Sequence, residues 1–403
     1  MISTQNAVLQ GKSGFVDDNG SDSQRKGASV TELLWDLGTA YDLFVSLDVL
    51  HYPVKYKTPG AWSAGMRARL SPVDREVLKQ SQLLVHVPLH WIHALPAPKD
   101  GASVLWTLAQ IEPAKRLPRM ALGPELPPAS VAETLLYAAT HGKWDDKGLE
   151  AVVAFYQHEC ENRRIPVPPL PGLMNTLNQW TRAEEFGSRY LDALRHYHAV
   201  FFEEEERRIH LALERALARA QALAERLELA DLLEELSQGL RLMEPIKSGA
   251  LVLAPSYWST PLVFMGETRA RQDIWLFGAR ALTESLVPGE VVPDTLLREL
   301  DALSDPTRLR ILQYLSVESL APAQLARRLR LRTPTVLHHL QTLRLAGLVQ
   351  FTMAKGKEPR TYATRSGAVA AVFSSLQSFF GGRDAGTGNG TETGSETGSG
   401  TGI

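Results

Sequence analysis

Most of the chain carries the apolar spacing of amphipathic helices. Between residues 29 and about 238, apolar side chains return every three or four positions, and proline-rich breaks separate the segments. From Tyr190 to Leu240 the sequence contains no Pro and is dense in Glu, Arg, Leu and Ala, which predicts one or two long helices. We interpret the run Glu203–Glu206 within it as a solvated face.

Two local signals place individual helices in this part of the chain. Helical spacing relates Leu34, Leu37, Tyr41, Phe44 and Val45. Ser71 and Pro72 supply a capping serine and an N1 proline, so a helix is expected to begin there.

The pattern then changes to short apolar runs with turn residues between them. The runs Ala250–Leu253, Pro261–Phe264 and Asp273–Phe277 predict strands of a small sheet. Pro288, Gly289 and Pro293 mark a linker into the last structured segment.

That segment predicts three short helices. Asp305 is a good N-cap and Pro306 a good N1 residue for the first helix. Its expected apolar face consists of Leu309, Ile311, Leu312 and Leu315. Pro322 starts the second helix, which buries Leu325, Ala326 and Leu329. Thr333 is expected to cap the third, with Pro334 at N1 and Gly347 just past its end.

The third helix separates apolar from polar residues. At roughly 100° per residue, Val336, Leu340 and Leu343 point to one side and His338 to the other. Gln341 lies on the outer side, and Thr335, His339 and Thr342 lie on its flanks. Such a division is typical of a recognition helix, whose polar groups reach base edges and phosphates in the major groove.

A basic hairpin follows the third helix. Residues 348–353 predict a strand and residues 361–363 its return, with Lys355, Lys357 and Arg360 in or beside the turn. Helices followed by such a hairpin indicate a winged helix-turn-helix, whose partner is duplex DNA.

The charged residues are also distributed unevenly between the last segment and the rest of the chain. The chain has a net charge of −2, but residues 296–380 contain 12 basic and 5 acidic residues, a net charge of +7, and the remainder therefore carries −9. A basic module on an acidic body is the electrostatic footprint of a DNA-binding domain. The alternative of a winged helix that contacts only proteins remains open.

The composition excludes several other classes of protein and of site. Cys160 is the only cysteine, which rules out an intramolecular disulfide and any multi-cysteine zinc site. No run approaches the roughly 18 apolar residues of a spanning helix, and the N-terminus lacks the apolar core of a signal peptide. We therefore expect a cytoplasmic protein without a membrane partner.

The last segment resembles the ArsR family of bacterial winged helix-turn-helix regulators. The resemblance covers residues 296–380 and is strongest at Leu303–Leu312, His338–Leu340 and Ala346–Val349. It implies a homodimer that binds palindromic operators, usually represses, and releases DNA when an inducer binds. The long N-terminal part is similar in layout to the extension of a subset of this family, which implies a sensing or dimerising body.

Two departures limit what the resemblance implies. Leu337 stands where the family often has serine, which puts one DNA contact in doubt. Residues 313–330 contain neither Cys nor His, so metal sensing at the site used by the metal-responsive branch is not expected.

Chemistry in the body is sparse. His86, His90 and His93 have helical spacing that suits a metal, but Pro88 interrupts it, and packing is the preferred interpretation. Cys160 is interpreted as a small buried residue rather than a thiol sensor. Aromatic residues could line an effector pocket or form ordinary core; they are Trp35, Trp62, Trp91, Trp106, Tyr41 and Tyr52.

These observations predict a mostly α (α+β) chain: a disordered N-terminus (1–28), a helical regulatory body (29–247), a β segment with linker (248–292), a winged helix (293–380) and a disordered tail (381–403). The predicted function is a homodimeric DNA-binding regulator that responds to an unidentified small-molecule or protein effector. No cofactor, metal site or enzymatic activity is expected, although an enzyme-like body fused to a DNA-binding appendage remains an alternative.

The predicted DNA contacts fall into two groups. Groove-facing residues are Thr333, Thr335, His338, His339, Gln341 and Thr342. Phosphate and wing contacts are Arg332, Arg344, Lys355, Lys357 and Arg360. Dimerisation is assigned to the helix before Asp305 and to the helix over residues 367–380, with Val369, Val372, Phe373 and Leu376 on one face. The long helix after Tyr190 is a further candidate for the dimer interface.

Overall fold

The computed structural model describes residues 31–56, 58–85, 87–123, 129–163, 167, 169–242, 246, 249–353, 360–365 and 367–381. The N-terminal 28 residues and the tail after Gly381, for both of which disorder is predicted, lie outside the described part of the chain. Within that part the chain is mostly helical with two small sheets, as the sequence predicts.

The N-terminal body is a multi-helix assembly. Its helices are α1 (Ala40–His51), α2 (Pro53–Tyr56), α3 (Gly60–Ala68), α4 (Pro72–Leu84), α5 (Leu89–His93), α6 (Gly101–Gln110), α7 (Pro113–Ala121), α8 (Ala129–His141), α9 (Asp146–Arg163), α10 (Leu170–Trp180), α11 (Ala183–Tyr197), α12 (Glu203–Ala224) and α13 (Leu229–Leu236). A π-helical turn, His198–Phe202, joins α11 to α12. The long helix predicted after Tyr190 is therefore confirmed as far as Ala224.

Helix α1 is the centre of the body, because every residue from Ala40 to Leu50 is buried. Its polar residue Asp42 is fully buried, and its carboxylate accepts hydrogen bonds from Ser256 Oγ at 2.7 Å and from the Trp258 amide at 2.8 Å. The Tyr257 amide donates to the same carboxylate at 3.2 Å. Asp42 thus fixes α1 to the turn that follows a strand of the body sheet.

That sheet has four strands in the order β1-β3-β5-β4. Its strands are β1 (Glu32–Trp35), β3 (Ala250–Ser256), β4 (Phe264–Glu267) and β5 (Asp273–Gly278). Strands β1, β3 and β5 are parallel and β4 is antiparallel to β5. The predicted β segment is confirmed, although its second strand begins only at Phe264.

The helical assignment of Leu34 is wrong. Leu34 lies in β1, opposite Val252, and helix α1 begins only at Ala40. The three apolar residues of β1 are too few for their period to decide between helix and strand, and here pairing with β3 decides it.

The solvated face assigned to Glu203–Glu206 is also wrong for half of its residues. Glu205 is buried, and its Oε2 lies 2.6 Å from Arg208 Nη2. Glu206 accepts hydrogen bonds from the Gly101 amide at 2.8 Å and from the Thr39 hydroxyl. Only Glu203 and Glu204 are exposed, so the run holds α12 against α1 and α6.

The C-terminal segment forms a separate core. Its helices are α14 (Asp294–Leu303), α15 (Pro306–Leu315), α16 (Pro322–Leu329), α17 (Thr333–Leu345) and α18 (Ala368–Gly381), and its hairpin strands are β6 (Val349–Met353) and β7 (Thr361–Thr364). Val336, Leu340 and Leu343 are fully buried in this core together with residues of α15 and α16. We refer to this segment, residues 294–381, as the reader.

One strand of the body joins the reader. Strand β2 (Leu240–Leu242) pairs in parallel with β6, so the hairpin becomes a sheet with the order β2-β6-β7. Gln238 and Gly239 have φ values of 56° and 112°, and this left-handed backbone ends the helical run before β2. A cluster of buried apolar residues from α13, β3 and β5 also takes in Phe351 of β6.

Candidate DNA-binding surface

The first helix of the helix-turn-helix begins where the sequence predicts. Asp305 caps α15 by accepting a hydrogen bond from the Arg308 amide at 2.9 Å, and Pro306 occupies N1. Ile311, Leu312 and Leu315 are buried, but Leu309 is 48% exposed. The expectation that Leu309 belongs to the apolar face is therefore wrong.

Helix α16 and the turn after it follow the expected pattern. Leu325, Ala326 and Leu329 are buried against α17. Arg330 ends the helix in the left-handed conformation, with φ 58° and ψ 41°. This single residue redirects the chain into the recognition helix.

The recognition helix, α17, begins one residue earlier than the capping prediction implies. Its N-cap is Arg332 and makes no side-chain capping bond, so the assignment of Thr333 as the cap is wrong. The other end is confirmed. Gly347, with φ 68°, donates to Arg344 O at 2.8 Å while Leu348 donates to Leu343 O at 3.0 Å, which is the Schellman arrangement.

The outward side of α17 has most of the polar residues predicted for it. Thr335 and His338 are exposed, while Thr333, His339 and Gln341 are half-buried. Leu337, which replaces the family's serine, is 38% exposed beside His338. The exposed face therefore offers a hydroxyl, an imidazole and a methyl-bearing side chain to a groove.

Thr342 does not belong to that face. It is only 5% exposed, so its expected position on the outer flank is wrong. Its neighbour Leu343 is fully buried. At roughly 100° per residue, Thr342 lies beside the row of side chains that faces the core, and it is buried with that row.

His339 lies near the start of α15. Its Nδ1 is buried and, among the described residues, has no hydrogen-bond partner. Burial lowers the pKa of His339; the charge of Asp305 opposes this shift, and the charge of Arg308 adds to it. A neutral imidazole can either donate to or accept from a base edge.

The Arg344 side chain packs against the wing instead of extending into solvent. Its Cζ lies 4.1 Å from the centroid of the Phe351 ring, a cation–π contact. Burial lowers the pKa of Arg344 to about 10, and Arg360 adds to the effect. Arg344 thus braces the wing against the recognition helix, and a phosphate contact would require it to leave that ring.

The wing is built on β6 and β7, which pair antiparallel from Val349–Thr364 to Thr352–Thr361. Leu320 forms a bridge with Tyr362, with both amides donating at 2.9 Å. Arg360 is exposed at the start of β7. Lys355 and Lys357 lie outside the described residues.

Exposed arginines on α16 extend the basic surface beyond the predicted set. Arg327 and Arg330 are exposed alongside Arg332, and the three lie within six positions of one another in sequence. Sequence reasoning passed over Arg327 and Arg330, although the pattern Arg327-Arg328-Leu329-Arg330-Leu331-Arg332 signals them. Arg328 differs, because its Nη1 lies 2.7 Å from Glu318 Oε1.

The candidate groups of the body do not come together. His90 is buried and burial lowers its pKa to about 4, His93 is half-buried, and His86 lies outside the described residues. No group of three His, Cys, Asp or Glu residues able to hold a metal occurs in the part of the chain that the structure describes. Cys160 lies on α9, and its side chain is not among those described.

Four of the six aromatic residues considered for an effector pocket pack in or against apolar cores: Trp35, Tyr41, Trp62 and Trp91. Tyr41 and Trp91 are buried, Trp62 stacks on Trp258 with ring centroids 5.7 Å apart, and Trp106 is 64% exposed.

Residues 305–350 match the model of the bacterial regulatory protein family arsR. Residues 305–350 of the reader therefore form a helix-turn-helix of the ArsR type. The matched residues run from the cap of α15 through α16 and α17 into β6. This match supports a DNA-binding transcription regulator.

Two solved structures are similar to part of the chain. HlyU from Vibrio cholerae N16961 is 29% identical over 21% of this chain and 91% of its own, with a TM-score of 0.18. The crystal structure of NolR from Sinorhizobium fredii is 26% identical over 24% of this chain and 97% of its own, with a TM-score of 0.19. No curated protein matches the chain.

Among the described residues, no helix is both long and apolar enough to cross a lipid bilayer.

Proposed function

We propose that the chain is a homodimeric, sequence-specific transcriptional repressor whose N-terminal body responds to an effector. The observation that carries this proposal is the division of α17, with Val336, Leu340 and Leu343 fully buried and Thr335 and His338 exposed. This division presents a polar helix face to the major groove from a rigid core. Such a regulator acts where the bacterial chromosome lies, in the cytoplasm.

Exposed arginines support the same partner. Arg327, Arg330 and Arg332 lie beside the recognition helix, and Arg360 lies at the base of the wing. Phosphate contacts of this kind fix the position of the reader on the duplex, whereas α17 reads sequence.

The homodimer is supported by an apolar surface on two helices of the reader that contact each other, α14 and α18. Its exposed residues are Leu297, Leu300, Phe373 and Phe380, from 38% to 66% exposed. Of the dimer face predicted on α18, Val372 is buried in the reader's own core, while Phe373 remains exposed. Large apolar side chains gathered in this way mark a protein–protein interface.

Response to an effector is supported by the strand that the body contributes to the wing. Because β2 pairs with β6, a shift of the body is transmitted to the hairpin. A dimer must space its two recognition helices by about 34 Å to match successive major grooves. A change in that spacing would lower DNA affinity.

The test is fluorescence anisotropy with the DNA upstream of the protein's own coding sequence and a scrambled duplex, across a salt series. We expect tighter binding to the native sequence and a steep salt dependence. Arg189→Ala, at an exposed site on α11, serves as a control that leaves binding unchanged. Equal and weak binding to both duplexes would contradict the proposal.

A further inference from the structure

A cleft of about 520 Å³ lies where the body meets the reader. One wall comes from α12 and the end of α13, and another from the segment that follows β5 and from α14. The reader closes it with residues 345–347 and with Arg365 and the first turn of α18. Its volume is that of a site for a small organic molecule.

Two buried arginines line this cleft, Arg280 and Arg298, which are 5% and 6% exposed. Within the described residues, Nε and Nη1 of Arg280 and Nε of Arg298 have no hydrogen-bond partner. Their other contacts are few: Arg280 Nη2 donates to Thr260 O at 3.1 Å, and Arg298 Nη2 donates to Thr295 Oγ1 at 3.1 Å. A buried charge normally has partners for most of its donors, because desolvation without them is costly.

The two guanidinium groups also repel each other. Burial, together with the positive charge of Arg280, lowers the pKa of Arg298 to about 10. Asp294 opposes this, with Oδ2 at 3.5 Å from Arg280 Nη2, but Asp294 also accepts from Ser285 Oγ and the Leu286 amide. Among the described residues, Asp294 is the only carboxylate in ion-pair contact with either guanidinium, although Glu284 and Glu299 also favour the charged arginines.

The rim and walls define the ligand further. Arg215 and Arg219 of α12 are exposed at the cleft, and Arg365 borders it from the reader, so five arginines line it against the three glutamates 235, 284 and 299. Glu235 already pairs with Arg219 at 3.0 Å. The walls between these charges are apolar and include Leu236, Phe277 and Leu345.

We propose that this cleft binds an organic anion whose acidic group, a carboxylate, sulfonate or phosphate, is held by Arg280 and Arg298 while its apolar part lies against the walls. Guanidinium groups bind planar and tetrahedral oxyanions through two parallel N–H donors. The unpartnered donors of the two arginines match this demand.

A ligand here touches the body and the reader at once. It would lie against the end of the recognition helix at Leu345 and the start of α18, the helix that bears the exposed Phe373. In this respect the inference rests on the proposed function: the bound anion would set the position of the reader relative to the body and thereby its affinity for DNA.

The test uses 8-anilinonaphthalene-1-sulfonate, an aromatic organic anion that fits the cleft, titrated by fluorescence into the full-length protein without DNA. Its matched ligand control is N-phenyl-1-naphthylamine, which keeps the rings and lacks the charge. We expect the anion to bind more tightly than the neutral compound. Arg298→Met should raise its dissociation constant at least about tenfold, since a charge-assisted bond is lost.

A second variant tests the site independently, in case Arg298→Met fails to fold. Arg215→Glu changes an exposed residue at the rim and should weaken the anion about threefold or more, while Arg189→Met, at an exposed site on α11, should leave it unchanged. Binding that is unaffected by both cleft variants, or equal for the neutral and charged compounds, overturns the anion site.

DNA binding is measured separately by anisotropy, with and without saturating 8-anilinonaphthalene-1-sulfonate. Arginine-dependent binding of the anion without any DNA binding would leave the site standing and reject the proposed function. DNA binding without arginine-dependent anion binding would reject the anion site and leave the proposed function standing. If both occur, we expect the anion to change DNA affinity severalfold, and an unchanged affinity would reject the regulatory role of the cleft.

Discussion

Leu240 of the body lies opposite Phe351 of the wing, in parallel register. The Phe351 amide donates to Gly239 O at 3.0 Å, and both Leu240 and Phe351 are buried in a cluster with residues of the body sheet. The wing is therefore not a free hairpin, because its first strand, β6, also pairs with β2 of the body.

Gly239→Ala should detach the wing from the body. A Cβ at this position would lie 2.9 Å from Arg365 Cδ and 3.2 Å from Gln350 Cα, and the φ of 112° is itself unfavourable for a side chain. We expect faster amide hydrogen exchange over residues 349–353, measured by mass spectrometry, with the reader still folded.

Gly249→Ala is the matched control. Gly249 has a φ of 75° but open space around its Cα, so it carries backbone strain without contact to the wing. Equal acceleration of exchange in both variants would show that strain, rather than the lost strand pairing, is responsible.

His338→Ala should reduce discrimination between sequences more than it reduces overall affinity. His338 is exposed on the outward face of α17, so its removal leaves the buried row of that helix intact. One lost base contact corresponds to about 1–3 kcal/mol. Anisotropy with native and scrambled duplexes measures the ratio, and a parallel loss on both would place His338 on the backbone instead.

Arg332→Ala should weaken binding to both duplexes by a similar factor. Arg332 is exposed at the N-terminus of α17, where it suits a phosphate contact. The slope of log affinity against log salt should fall by about one unit. An unchanged slope with reduced discrimination would show that Arg332 reads a base.

The reader could be predicted from sequence because its signals are local. Asp305, Pro306 and Gly347 mark helix ends through their own backbone chemistry, and the spacing of Val336, Leu340 and Leu343 identifies the buried face. The body strands β1 and β2 could not be predicted, since each is three or four residues long and exists through pairing with a partner more than 100 positions away.

The residues of the candidate sites could likewise be predicted only where the sequence signal is local. Exposed His338 follows from helical periodicity alone. Thr342 and Arg344 do not, because Thr342 is buried at the flank of the core, whereas Arg344 stacks on Phe351 and its position depends on how the wing packs. The cleft that holds Arg280 and Arg298 is lined by elements from α12 to α18 that are distant in sequence, and no motif marks it.

Phe373→Glu should dissociate the proposed dimer. Phe373 is 59% exposed on α18, the helix that contacts α14, so a carboxylate there costs little in the monomer but opposes burial in an interface. Sedimentation velocity should show the monomer at concentrations at which the unmodified protein is a dimer. Val317→Glu, at an 82% exposed position in the reader, should leave the oligomeric state unchanged.

Stability of the body should fall as pH rises between about 4 and about 6. Burial raises the pKa of Asp42 from 3.8 to about 6, and the hydrogen bonds from Trp258, Ser256 and Tyr257 only partly oppose this. Below both values the carboxyl is protonated in the folded and unfolded states alike. Between them the unfolded state loses its proton first, so unfolding becomes more favourable, by about 3 kcal/mol for a shift of this size.

Asp42→Asn separates the contribution of Asp42 to the pH dependence of stability from the contributions of other titrating groups. The amide cannot ionise but keeps one oxygen acceptor for Ser256 and Trp258, so it should lose the part of the pH dependence that Asp42 causes. Urea unfolding of both proteins at pH 4 and pH 6.5 gives the two free-energy differences. We expect a steeper loss in the unmodified protein, and parallel losses would mean that Asp42 keeps an ordinary pKa in its buried site.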